Sequence, residues 1–218
     1  MSAHCHHDHS HDHGHHADAL IAPGYRRVLW IALAVNAAMF LLEIGAGIAA
    51  GSVSLLADAI DFFGDAANYA ITLAVLASGA TWRARAAVIK AASMLLFGAI
   101  VIARAAWAAG SGVAPEPLTM GAVGLLALGA NLGVAALLYA FREGDANMRS
   151  VWLCTRNDAI SNVAVLLAAL GVFGTGTRWP DLLVAGAMAA LALTAGASVL
   201  RQARAELSPA RRAGGGGQ

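Results

Sequence analysis

Residues 55–68 read LLADAIDFFGDAAN. The stretch sets Asp58, Asp61 and Asp65, at spacings of three and four, into a run that is otherwise apolar. At about 100° per residue the three carboxylates fall in one narrow stripe of a helix. A buried carboxylate is costly unless a partner, a proton or a cation compensates it. Which of these applies depends on what surrounds the stripe.

The surroundings are those of a bilayer. Of 218 residues, 59% are hydrophobic and 12% charged, with a mean hydropathy of +0.65; a soluble domain carries about 25% charged residues. Six apolar segments reach the ~20 residues that a span needs: 28–50, 53–78, 83–109, 118–141, 150–173 and 180–200. Glycine and proline mark the joints at 51–52, 109–117 and 174–180. The expected fold is therefore an all-α integral membrane protein of six transmembrane helices, residues 25–205. A polar, disordered tail is expected over 1–24 and a short disordered tail over 206–218. The first apolar run has no cleavage site and reads as a retained helix, not a signal peptide. A net charge of +1 without a basic patch gives no sign of nucleic acid as a partner. Cys5 and Cys154 are too far apart in sequence and too different in setting to suggest a disulfide framework.

Orientation follows from the basic residues. Arg26, Arg27, Arg83, Arg85, Arg142, Arg149, Arg201, Arg204, Arg211 and Arg212 would share one side, and Arg178 alone the other. Both termini are therefore expected in the cytoplasm, with the chain in a bacterial inner membrane. Lys90 and Arg156 lie near helix ends and are expected to snorkel to the inner interface. Arg104 lies deeper, and an ion pair is expected for it.

A second polar stripe lies in the fifth segment, where Cys154, Asp158 and Ser161 share a face flanked by Asn157 and Asn162. Helix 2 runs inward and helix 5 outward, so Asp65 and Asp158 come to similar depth at ~1.5 Å per residue. Asn36 and Asn131 fall near the same level, with Glu43 and Asp58 closer to the outer face. Facing stripes would gather Asp61, Asp65, Cys154 and Asp158 at one point. Three carboxylates and a thiol cannot all ionise there without a cation. Four such ligands suit a tetrahedral divalent ion such as zinc, and protons could replace it when it leaves. The alternative for a single Asn36 or Asn131 is a hydrogen bond tying two helices together. For Cys154 it is a small buried hydrophobe.

These residues carry a resemblance. EIGAGIAAGSVSLLADAIDFFGDAANYAITLAV (43–75) is similar to the helix 1–2 region of the cation diffusion facilitators, and SVWLCTRNDAISNVAVLLAALGVF (150–173) to their helix 5. The resemblance extends over all six spans. It implies a homodimeric exporter that exchanges divalent metal for protons. The family's paired motifs on helices 2 and 5 would read DFFGD, giving Asp61 and Asp65, and CTRND, giving Cys154 and Asp158. Cys154 stands where the family has histidine or aspartate. A thiolate favours zinc or cadmium over manganese or magnesium, and Asn157 could supply an oxygen in its place. The family's cytoplasmic C-terminal domain is expected to be missing. A homodimer would then form within the membrane, and the small-residue-rich helix 3, FGAIVIARAAWAAG, offers a face.

All eight histidines, His4, His6, His7, His9, His11, His13, His15 and His16, lie in the first 16 residues. Asp8, Asp12 and Cys5 interleave them, which is unlike a plain expression tag. The tract suits a weak cytoplasmic collector of zinc, cobalt, nickel or copper. The expected activity is efflux of a divalent cation, zinc first, by metal/proton antiport. Cobalt, cadmium or iron(II) are alternative cargo, and no organic cofactor is implied. No GxxxxGK[ST] loop suggests nucleotide as the energy source. An intramembrane metal-dependent enzyme would need a nucleophile or an HExxH motif, and neither is seen. A metal sensor is the remaining rival, against which the short tail argues.

Overall fold

The computed structural model describes residues 24–75, 80–141 and 146–207. The histidine tract and the C-terminal tail lie outside these residues, as do the side chains of Arg83, Arg142, Arg149, Cys154, Arg156 and Asn157. The described chain forms six helices: α1 (Tyr25–Ala50), α2 (Val53–Val75), α3 (Ala80–Ser111), α4 (Pro117–Tyr139), α5 (Ala146–Thr175) and α6 (Trp179–Leu207). The shortest, at 23 residues, extend ~35 Å, more than the ~30 Å hydrocarbon core. The helices overrun the expected spans at several ends, α5 starting at Ala146 and α6 reaching Leu207. Apolarity marks where the bilayer ends, and a helix can continue into water beyond it.

Among the described residues, five helices are long and apolar enough to cross a membrane. α2, which carries Asp58, Asp61 and Asp65, is not among them. The bundle is correspondingly inverted in polarity. Large apolar side chains such as Leu41, Trp107, Leu118, Phe173 and Leu183 face outward, where lipid would solvate them. Along α1 the buried positions are Tyr25, Leu29, Ala32, Asn36, Met39, Glu43, Gly47 and Ala50. Along α4 they are Met120, Gly124, Ala127, Asn131, Val134 and Leu138. Both series step by three and four, the spacing of a helix seam, and both place polar residues on the inner face.

α2 is central and packs against α1, α3, α5 and α6. α1 also packs on α4, α4 on α5, and α6 on both α3 and α5. Phe40, Phe63 and Phe97 interlock α1, α2 and α3, with ring centroids 5.4–6.2 Å apart. α3 and α6 approach closely at two glycines, one on each helix. A Cβ added at Gly98 would lie 2.9 Å from the Leu193 side chain, and one at Gly196 would lie 3.2 Å from Leu95. The outward face of α3 carries Leu96, Ile100 and Trp107 together with Ala99, Ala103, Ala106 and Ala109.

The end opposite the termini is tied by polar contacts. Gly51 takes φ 67°, closing α1 with its own N–H bonded to Ile48 O and the Ser52 N–H bonded to Gly47 O. Asp181, in the first turn of α6, accepts from Val53 N at 2.9 Å, Ser54 N at 2.9 Å and Ser52 Oγ at 2.7 Å. A carboxylate from one helix thus caps the N-terminus of another, where the orphan N–H groups and helix dipole favour it. Arg178 Nη1 donates to Ala108 O at 2.7 Å, covering a carbonyl in the last turn of α3. Glu116 N donates to Ala50 O at 2.9 Å. The Glu116 carboxylate caps α4 through Leu118 N and Thr119 N, with Pro117 following it.

Candidate metal centre

α2 and α5 are brought together with their carboxylates facing. The Asp65 and Asp158 carboxyls lie within hydrogen-bonding reach of each other. Asp65 is buried, while Asp61 and Asp158 are half-buried. Asp61 stands one turn along α2 from Asp65, close enough for the charges of Asp58 and Asp65 to act on it. Among the described residues no three His, Cys, Asp or Glu side chains close around a single point. The Cys154 side chain is not among those residues; its backbone places it on α5 one turn before Asp158. Ser161 is half-buried on the same helix. The Asn162 amide donates to Asp158 O at 2.9 Å, a backbond within its own helix.

Sequence reasoning missed the groups that surround the Asp65–Asp158 pair. Tyr69 Oη donates to Asp65 Oδ2 at 3.3 Å and shares a 2.6 Å hydrogen bond with Thr155 Oγ1 on α5. Both residues are fully buried. Lys90, on α3, is buried and donates through Nζ to Asn68 Oδ1. Its charge acts on Asp65. The expectation that Lys90 snorkels to the interface is therefore corrected: α2 offers it an amide oxygen and a carboxylate inside the bundle. Asn68 and Tyr69 follow Asp65 by three and four residues, so extending the aspartate stripe one turn would have found them. Arg104 also departs from expectation. It is exposed and lies over the Trp107 ring, 5.5 Å from its centroid, and the ring's π face takes the place of the expected ion pair.

Glu43 of α1 and Asp58 of α2 lie within hydrogen-bonding reach across the helix pair, and both are fully buried. Two carboxylates are two acceptors, so without a shared proton neither Glu43 oxygen nor Asp58 Oδ2 has a donor. Asn36 is buried, with Nδ2 bonded to Ala32 O, and its Oδ1 likewise has no donor, as is true of Asn131 Oδ1. The interior shared by α1, α2 and α4 therefore holds a surplus of acceptors. Such a lining favours species that bring positive charge or hydrogen-bond donors: cations, protons and water.

The model of the cation efflux transmembrane domain matches residues 29–208. No curated protein matches the chain. The matched span runs from the second turn of α1 past the end of α6 and includes both acidic stripes. The chain therefore belongs to the cation efflux family, the cation diffusion facilitators, and is an integral membrane transporter of cations and not an enzyme.

Proposed function

We propose that the chain exports a divalent cation, zinc first, from the cytoplasm by exchange for protons. The observation that carries this reading is the meeting of Asp65 and Asp158, from α2 and α5, inside a bundle whose outward face is apolar. Carboxyls held together in low dielectric need positive charge, and a divalent ion or protons can each supply it. In this reading Asp61, Asp65, Cys154 and Asp158 ligate the cargo, with Asn157 oxygen as a substitute for the thiol and Ser161 lining the path beside them. Asn36 and Asn131 flank the site, and Glu43 and Asp58 line the outer release route. Binding of metal on one side and protons on the other biases the bundle between inward-open and outward-open forms.

Both termini lie in the cytoplasm of a bacterial inner membrane, an orientation supported by the arginine distribution. Residues 1–24 form a histidine-rich tail, 25–205 the transport domain and 206–218 a short tail. His4, His6, His7, His9, His11, His13, His15 and His16 collect metal near the entrance without being required for turnover. A homodimer would form through the membrane helices. Ala99, Ala103, Ala106 and Ala109 of α3 are exposed, and this small-residue face is the proposed contact.

The test is metal uptake into inside-out proteoliposomes with an acidic lumen, using zinc, cobalt, cadmium, iron(II) and manganese in parallel. The parent is expected to accumulate zinc, and Asp158→Ala to fall to background. Cys154→Ser should shift preference away from zinc and cadmium, because it removes the soft ligand. Cobalt, cadmium or iron(II) moving faster than zinc would reassign the cargo and keep the mechanism. Tight binding of metal with no movement down an imposed proton gradient would overturn antiport.

A further inference from the structure

Tyr69 and Thr155 stand on one side of the Asp65–Asp158 pair. Tyr69 is one turn beyond Asp65 toward the C-terminal end of α2, and Thr155 is three residues before Asp158 on α5. Both lie toward the end of the bundle that holds the chain termini. Their hydroxyls join α2 to α5 at 2.6 Å, inside the 2.5–3.0 Å range of a well-made O–H···O bond. The bond from Tyr69 to Asp65 Oδ2 is longer, 3.3 Å. A phenol has one proton. When Tyr69 gives it to Asp65, Thr155 must be the donor to Tyr69, and the three groups form one polarised chain. The link between helices is thus firm and the link to the carboxylate loose. Tyr69 is 1% and Thr155 0% exposed, so no water replaces these bonds while the helices stay together.

We propose that Tyr69, braced by Thr155, is a positioning and specificity residue of transport, holding Asp65 when no cargo is bound and competing with the incoming cation for Oδ2. The inference rests on the reading of Asp65 as a cargo ligand. A divalent ion that takes Oδ2 from the termini side meets the phenol on the same oxygen, and in this reading its route between α2 and α5 crosses the hydroxyl bridge. Entry therefore breaks both bonds, and closure behind the departing ion remakes them. The bridge makes the resting site resist adventitious cations that bind carboxylate too weakly to displace a phenol.

The test is zinc transport kinetics in the same proteoliposomes. Tyr69→Phe keeps the ring and removes the hydroxyl. Its KM should fall about two- to tenfold, the range set by one hydrogen bond, with manganese gaining more than zinc. Thr155→Val keeps the Tyr69–Asp65 bond and opens the bridge. Zinc–zinc exchange without a proton gradient should rise in both variants, and Thr155→Ser should restore the parent rate. Asp65→Asn is the control for the underlying reading: if it transports like the parent, that reading fails and takes the inference with it. If Asp65→Asn is inactive while Tyr69→Phe and Thr155→Val match the parent in KM, metal preference and exchange, the inference alone is overturned. Equal loss of transport and thermal stability in both variants, unrescued by Thr155→Ser, would make the pair a packing contact and would also overturn it.

Discussion

At Glu116 one residue serves two helices: its N–H bonds the last carbonyl of α1, and its carboxylate caps α4. The Thr119 side chain, then the Thr119 and Leu118 amides, hold its carboxyl below the usual carboxylate range. The charged form makes these bonds, so their contribution is complete above the unfolded carboxylate value, about 4.3. It is lost as pH falls through the depressed folded value. Amide exchange at Leu118 and Thr119, relative to intrinsic rates, should therefore quicken only once acidification passes below the ordinary carboxylate range. In Glu116→Gln it should be fast at every pH. Equal protection in the two proteins would show that the cap does not hold the turn. At this scale the sequence was readable where a residue was out of place. Asp65 and Asp158 announce themselves because hydrocarbon does not tolerate carboxylates without a reason. Tyr69 and Thr155 do not, since a tyrosine or threonine in a membrane helix satisfies itself in many ways. Asp181 reads locally as the first turn of its own helix, and only tertiary packing turns it to the amides of α2.

For the helices, the six apolar runs correspond to six helices, five of them long and apolar enough to cross a membrane among the described residues, and the three–four spacing of buried positions on α1 and α4 marks the inner face. What the pattern could not supply was pairing. The small residues of α3 suit either a second copy of the chain or a neighbour within it: Gly98 lies against α6, while Ala99, Ala103, Ala106 and Ala109 are exposed. Gly98→Leu should force α3 from α6 and cost about 1–3 kcal/mol, as overpacking does. The cost should appear as a lower thermal-unfolding midpoint in detergent. Gly129→Leu, at a position with nothing within 4 Å, is the matched control and should leave the midpoint in place. If both variants melt together with the parent, α3 and α6 are not closely packed in the membrane. Lys90 makes the same point about pairing. Its distance from the helix end suggested snorkelling, but α2 presents Asn68 and Asp65 to it, and a nearby polar partner wins over a distant interface.

Across the molecule, the ties to backbone groups gather at the end away from the termini, side-chain links such as Tyr69–Thr155 join helices toward the other, and the acidic stripes of α2 and α5 meet deeper in the bundle. Spin labels at the tied ends of α2 and α6 should keep one separation in zinc-loaded and proton-loaded protein, while labels at their opposite ends should move apart or together. Equal changes at both ends would mean that the helices slide past one another. Asp181→Ala should let the tied ends drift. The clasp of Asp181 on Val53 and Ser54 makes that end of α2 a fulcrum, and the rest of the helix a lever arm. Asp65 sits ~18 Å along the arm at 1.5 Å per residue, so a swing of about 10° carries its carboxylate ~3 Å. That stroke is enough to bring an oxygen into a metal's coordination sphere or take it out, without stretching a single backbone hydrogen bond of the arm.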